Sequence, residues 1–100
     1  MGKLVRDRIP EIIRASGRVP CCHVLDAAAY ERALHEKLLE EAAELRAADS
    51  RDDRLGEAAD VFEVLTAVAQ LYGFTLDDIR RAADAKVAER GGFSARLWLE

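Results

Sequence analysis

One stretch of the sequence, from Tyr30 to Leu45, most constrains how this chain folds. Its apolar residues recur at the three- and four-residue spacing of one helix face: Tyr30, Leu34, Leu38 and Leu45. Glu41 falls on the same line. An acid therefore stands where a helix core would ordinarily have a leucine, and a carboxylate in that position is costly unless something neutralises it.

Two pairs of acids occur at helical spacing on consecutive predicted helices. Glu44 lies one turn beyond Glu41, on the same side of the helix, and Glu57 and Asp60 repeat that spacing after a short turn. If the two helices face each other, four carboxylates meet, and they repel unless protonated or bound to a cation. Oxygen-only ligands suit Mg²⁺, or Mn²⁺, better than zinc. The sequence predicts a magnesium site at Glu41, Glu44, Glu57 and Asp60.

The same spacing also has a simpler explanation. Alanine- and glutamate-rich helices commonly carry this pattern on a solvated face, where it reflects only helix propensity and charge pairing. Two pairs beside apolar stripes favour the metal site over that explanation. Glu40 borders the acid cluster, and Lys37 is spaced to pair with either Glu40 or Glu41.

Capping and stop residues predict four helices. Pro10 suits a helix start, Asp26 and Ser50 are N-cap candidates, and Gly73 is a C-terminal stop. The predicted helices are about 9–15, 27–48, 51–72 and 76–90. We expect one all-α domain over residues 1–100, an antiparallel bundle of about four helices with short extended segments at both ends. The alternating tail, 93–100, is compatible with a short strand beside Leu4-Val5.

The composition of the chain indicates which classes of binding partner to expect. A net charge of −4 argues against a nucleic-acid polymer, which basic domains usually bind. No apolar run is long enough for a membrane span and no signal-peptide pattern opens the chain, so we expect a cytoplasmic protein. The third helix is apolar almost all round from Ala58 to Tyr72, which predicts burial at the centre or in a homo-oligomer interface.

Cysteine is scarce. Cys21 and Cys22 are adjacent, a spacing that rarely forms a disulfide, and His23 follows them. No second ligand pair at finger-like spacing follows, so loop thiols are favoured over a zinc site.

Basic residues near both ends are candidates for anion contact. Lys86 and Arg90 share a helix face just before Gly91-Gly92, where backbone can approach a phosphate closely. The alternative is that they complement the helix dipole while Gly91 caps the helix. Arg6 is the strongest N-terminal candidate because a guanidinium can bind phosphate through two hydrogen bonds.

Together these motifs resemble a known family. Glu40-Glu41-x-x-Glu44 followed by Glu57-x-x-Asp60 resembles the acid motif of the all-α nucleoside triphosphate pyrophosphohydrolases, the MazG-like superfamily. The opening 3–13 and the ending 86–93 look like its phosphoribosyl-ATP pyrophosphohydrolase-like, house-cleaning branch. The likeness covers essentially the whole chain.

That resemblance implies roles and a reaction. Glu41, Glu44, Glu57 and Asp60 would bind magnesium, with Glu40 as a helper or base, and Lys86 and Arg90 would contact phosphates. The implied reaction is hydrolysis of a nucleoside triphosphate, noncanonical in the house-cleaning branch, to the monophosphate and pyrophosphate. It also implies a homo-oligomer, a dimer or dimer of dimers. The alternatives are phosphoribosyl-ATP pyrophosphohydrolase of histidine biosynthesis and a non-enzymatic helical dimerisation or regulatory module.

Overall fold

The computed structural model describes residues 2–100 and contains four α-helices. They are α1 (Ile9–Ala15), α2 (Ala27–Ala47), α3 (Arg51–Tyr72) and α4 (Leu76–Arg90). Residues 2–100 contain no strand, so the all-α prediction is confirmed and the helix bounds agree to within one residue. No helix among these residues is long and apolar enough to cross a membrane.

Capping residues mark the ends of the helices. Asp26 accepts a hydrogen bond from the Ala29 N–H at the start of α2, and the Ser50 hydroxyl accepts one from Asp53 at the start of α3. Gly73 ends α3 in the left-handed region, with φ of 79°, where a side chain would be strained.

The core lies between α2 and α3, which pack along each other as an antiparallel pair. The buried apolar residues are Leu34 from α2 and Val64, Val68 and Ala69 from α3. Val64 and Val68 are one turn apart and face Leu34, so the predicted central position of α3 is confirmed for this face. The opposite side of α3 is open, since Phe62 is 56% exposed.

A hydrogen-bonded group joins α2 and α3 at the end away from their connecting loop. The Tyr72 hydroxyl donates to Glu31 Oε1 at 2.9 Å and lies 2.6 Å from His35 Nε2. The hydrogen bond to Glu31 is the main cause of a raised pKa for Tyr72. Phe74 stacks on the Tyr72 ring, with 6.4 Å between centroids.

The first and last helices make few contacts with this pair. Neither α1 nor α4 contains a buried residue, and the radius of gyration is 17.1 Å, against roughly 13 Å for a compact domain of this length. The N-terminal segment, residues 3–8, crosses the α2–α3 pair, and Leu4 packs against its core. Much apolar surface therefore remains uncovered in a single chain.

The expected pairing between Leu4-Val5 and the tail does not form. Phe93, Leu97, Trp98 and Leu99 are each at least 85% exposed, and the chain turns at Phe93–Arg96 through a 3.1 Å backbone hydrogen bond. Arg96 has a φ of 55°, which interrupts extended backbone. Alternation in the tail predicted an extended conformation, but it carries no information about a partner strand.

Candidate metal and phosphate site

Three of the four predicted metal ligands lie together beside the α2–α3 connection. Glu41 and Glu44 project from the last turns of α2, and Glu57 projects from the second turn of α3. One carboxylate oxygen of each lies within 4.8 Å of one oxygen of the other two. Glu41 is buried, Glu57 is half-buried and Glu44 is exposed, so the cluster opens to solvent on the side of Glu44.

Two of these carboxylates have an oxygen with no partner. The Oε2 atoms of Glu41 and Glu57 are shielded from solvent and accept no hydrogen bond from residues 2–100. Buried acceptors are ordinarily satisfied, and leaving a charged one unsatisfied is costly. A divalent cation bound between them would supply the missing interactions with the oxygen ligands it prefers. The residues therefore fit a divalent metal ion.

Lys37 holds the other oxygen of Glu41. Its Nζ lies 3.3 Å from Glu41 Oε1 and 3.5 Å from Glu40 Oε1, so it pairs with both glutamates. Burial, the largest single influence, lowers the pKa of Lys37, but the hydrogen bond to Glu41 and the charges of both glutamates raise it overall. Lys37 thus stays charged and pairs with Oε1 of Glu41, whereas Oε2 of Glu41 has no hydrogen-bond partner among residues 2–100.

Asp60 is arranged differently from the other predicted ligands. Its Oδ1 lies 2.6 Å from Nη2 of Arg6, in a salt bridge between the N-terminal segment and α3. Asp60 does not belong to the cluster of three glutamates. The predicted phosphate contact and the fourth predicted metal ligand are therefore bound to each other.

A groove of about 670 Å³ runs along the α2–α3 pair under the N-terminal segment. Glu41, Asp60 and Glu63 line one end, and Tyr30 and Gln70 line the other. Its volume lies in the range of pockets that hold small molecules. The groove therefore places Glu41 and Asp60 beside a space of the size that small ligands occupy.

The two basic residues of α4 lie apart from the acids within one chain. Arg90 is exposed in the last turn of α4, whereas Lys86 lines a separate groove of about 510 Å³ with Phe74, Asp78 and Ile79. Because α4 does not pack along α2 or α3, neither residue is brought to the acid cluster. Their predicted contact with phosphate requires a change in the position of α4 or a second chain.

The cysteines take no part in the cluster. Cys21 and Cys22 are both free and exposed, as expected for loop thiols, and the metal-compatible group found in residues 2–100 consists of glutamates alone.

The sequence model of the family described as phosphoribosyl-ATP pyrophosphohydrolase matches residues 23–87. The chain belongs to the phosphoribosyl-ATP pyrophosphohydrolase family. This family is part of the MazG-like all-α superfamily. The matched region contains all the clustered acids, Lys37 and Lys86, whereas Arg6 and Arg90 lie outside it.

A relative in Mycolicibacterium smegmatis (strain ATCC 700084 / mc(2)155), described as an uncharacterised protein, is 62% identical over 55 residues. The alignment covers 55% of this chain and 56% of that relative, so it spans little more than half of either protein. No solved structure matches the chain.

Sequence reasoning missed two features of this site. The Arg6–Asp60 salt bridge joins residues 54 positions apart, and nothing in the local pattern indicates it. The groove was also missed. The α2 residues that line it, Tyr30, Leu34, Lys37 and Glu41, are spaced three or four apart, so the sequence did show that they share one helix face.

Proposed function

We propose that this protein is a magnesium-dependent nucleoside triphosphate pyrophosphohydrolase that converts a noncanonical nucleotide to its monophosphate and pyrophosphate. The observation that carries this proposal is the pair of buried, unpartnered oxygens on Glu41 and Glu57 within the glutamate cluster. Membership of the phosphoribosyl-ATP pyrophosphohydrolase family supports the reaction type. An acidic cluster that only solvated a helix face would not bury two acceptors without partners.

Each residue of the site has a proposed task. Glu41, Glu44 and Glu57 would hold the divalent ion, and Asp60 would join them once it is free of Arg6. When bound, Mg²⁺ neutralises phosphate charge and lowers the pKa of a coordinated water. Glu40, whose side chain is 42% exposed and held on one side by Lys37, would accept the proton of the attacking water at a carboxylate oxygen.

The cations of the chain would act on the phosphates. Arg6 would bind phosphate oxygens beside the cluster, and Lys86 and Arg90 would stabilise the charge that develops on the leaving pyrophosphate. For Lys86 and Arg90 this task depends on assembly, since α4 lies apart from the acids in one chain.

Phosphoribosyl-ATP is the second candidate substrate. It is favoured by the description of the family that matches residues 23–87. The noncanonical nucleotide is favoured by the N-terminal 3–13 and C-terminal 86–93 motifs, which resemble the house-cleaning branch. Both substrates would present phosphates to the same acids, so only a direct comparison of substrates separates them.

We also propose that the protein works as a homo-oligomer, a dimer or a dimer of dimers. The extended shape, the open side of α3 around Phe62 and the apolar groove beside Ile79 on α4 support this proposal. Large exposed apolar surfaces usually mark contacts with another chain. Light scattering across micromolar concentrations tests it, and a monomer throughout would contradict it.

The decisive experiment measures pyrophosphate release from a panel of ordinary nucleoside triphosphates, modified nucleoside triphosphates and phosphoribosyl-ATP. Each substrate is assayed with Mg²⁺ and with excess EDTA, using wild type, Glu41→Gln and Asp60→Asn. Glu36→Gln is the matched control, because Glu36 is an exposed glutamate on the same helix and outside the cluster.

We expect magnesium-dependent release by wild type and Glu36→Gln, and loss of release in both cluster variants. Full activity in Glu41→Gln and Asp60→Asn would refute the assignment of the site. If wild type releases no pyrophosphate from any substrate and binds no Mg²⁺ in a calorimetric titration, the chain is instead a helical interaction module.

A further inference from the structure

Arg6 and Lys37 contact the acid set in different ways. Lys37 is fixed within α2, its side chain is 18% exposed, and it is paired with two glutamates one turn away on its own helix. Arg6 belongs to the irregular segment before α1, its side chain is 59% exposed, and its contact with the acids is the salt bridge to Asp60. Lys37 is therefore a mostly buried partner of Glu41 on the same helix, whereas Arg6 is held only by a solvent-exposed contact.

The salt bridge joins two groups that have other tasks in the proposed function. Asp60 lies one helical turn beyond Glu57 on α3, so the spacing suits both for the same cation. Its Oδ1 is occupied by Arg6, and only the other three acids are gathered within 4.8 Å of one another. A dication at the cluster would attract Asp60 and repel the guanidinium of Arg6.

We propose that Arg6 is an exchangeable counter-ion of Asp60. A divalent cation displaces it from the carboxylate, and the freed guanidinium then binds a phosphate group of the nucleotide. Exposed salt bridges are weak enough to be exchanged in this way. Arginine also forms two parallel hydrogen bonds to a phosphate as readily as to a carboxylate. The phosphate step rests on the proposed function; the exchange at Asp60 rests only on the metal site.

The exchange links metal binding to substrate binding. While Arg6 is paired with Asp60, the negative charge of Asp60 is neutralised at the edge of the glutamate cluster. Once the metal has bound, the same arginine becomes available at the edge of the groove, where Lys3 and Asp60 also line the wall. The metal-loaded chain would thus bind phosphate better than the metal-free chain, through a residue of its own N-terminal segment.

Calorimetric titration with Mn²⁺ alone tests the first step. The proteins are wild type, Arg6→Gln, Arg6→Lys and the matched control Arg8→Gln. Arg8 lies two residues away on the same segment, is 82% exposed and pairs with Glu11, so its substitution removes the same charge without freeing Asp60. Circular dichroism in EDTA checks that all four proteins have the same helicity.

We expect Arg6→Gln to bind Mn²⁺ about two- to fivefold more tightly than Arg8→Gln, the factor that an exposed salt bridge is worth. Arg6→Lys should lie between Arg6→Gln and wild type. Equal Mn²⁺ affinity of Arg6→Gln and Arg8→Gln would overturn the exchange, because only long-range charge would then matter. Weaker binding by Arg6→Gln would overturn it too, because Arg6 would then be ordering the metal site.

Binding of inorganic pyrophosphate to the Mn²⁺-saturated proteins tests the second step. Loss of a charged hydrogen bond predicts that Arg6→Gln binds pyrophosphate about tenfold more weakly than Arg8→Gln, the opposite sign to its effect on Mn²⁺. Equal pyrophosphate affinity would overturn the phosphate role. If Arg6→Gln binds Mn²⁺ more tightly than Arg8→Gln but wild type hydrolyses no nucleotide, the exchange at Asp60 is supported and the proposed function is refuted.

Discussion

Replacing Glu41 by glutamine should have opposite effects on stability with and without Mg²⁺. Glu41 is only 6% exposed. We expect its charge to contribute little net stabilisation to the metal-free chain. Its attraction to Lys37 at 3.3 Å is worth about 5 kcal/mol at an effective dielectric constant of about 20. Repulsion opposes this attraction, since Glu44 and Glu57 lie within 4.8 Å.

The opposing terms nearly cancel. At the upper limit of 4.8 Å, half-buried Glu57 repels Glu41 by about 3.5 kcal/mol at the same dielectric constant, and exposed Glu44 repels it by about 0.9 kcal/mol in water. Shorter separations would increase both repulsions. Burial of the Glu41 charge then remains as an uncompensated cost. Glutamine removes that cost, and Lys37 keeps Glu40 as a partner at 3.5 Å. We therefore expect Glu41→Gln to raise the free energy of unfolding in EDTA by about 1 kcal/mol.

Mg²⁺ should reverse the order of stability. At a Mg²⁺ concentration of 100 times its dissociation constant, wild type gains about 2.7 kcal/mol, and the variant lacks the ligand needed for that gain. Wild type should then exceed Glu41→Gln by roughly 1.7 kcal/mol. For a domain of this size each kcal/mol shifts the melting temperature by about 4–8 °C, so both signs are measurable by thermal unfolding followed by circular dichroism.

Two results would refute this reasoning. If Glu41→Gln is less stable than wild type by 2 kcal/mol or more in EDTA, the Glu41 charge is a structural requirement. If Mg²⁺ raises the melting temperature of both proteins equally, the ion binds elsewhere. Glu36→Gln controls for loss of a surface charge and should stay within about 0.5 kcal/mol of wild type in both buffers. Protein concentration is held fixed, because any oligomer makes the melting temperature depend on it.

Three further predictions concern the fold around the site. Leu34→Ala should lower the free energy of unfolding, measured in urea, by about 2–5 kcal/mol because Leu34 is only 2% exposed. Leu39→Ala, at a position that is 73% exposed, should change it by under about 0.5 kcal/mol. Equal effects of the two substitutions would contradict the assigned core. Thr75→Ala should weaken the start of α4 by about 1 kcal/mol, seen as faster amide exchange in 76–90 with α2 and α3 unaffected. Hydrogen bonds from the backbone and side chain of Thr75, then from Arg81, lower the pKa of Asp78 from its ordinary 3.8. The Asp78 carboxylate therefore contributes fully to the stability of α4 at pH values above its ordinary pKa, and this contribution is lost as the pH falls through its lowered pKa. An NMR titration in which α4 keeps its stability in acid, or in which Asp78→Asn loses stability equally, would contradict this prediction.

The helix bounds could be predicted because short-range interactions set them. Asp26, Ser50 and Thr75 each accept a hydrogen bond from a backbone N–H three residues away, and Gly73 takes a conformation that few other residues tolerate. Such signals are present in the sequence whatever the rest of the chain does. The tail had no comparable signal, since its alternating residues indicate an extended conformation without indicating a partner.

The sequence by itself also determined which acids share a helix face, because the three-residue spacing of Glu41 and Glu44, and of Glu57 and Asp60, is a property of the helix. Only the tertiary structure decided that three of the four gather while Asp60 pairs with Arg6, and that Lys86 and Arg90 remain apart on α4. Which charges meet across 54 residues depends on how the N-terminal segment crosses α2 and α3 and on what covers α4. Those arrangements follow from packing between distant elements, which no local spacing specifies.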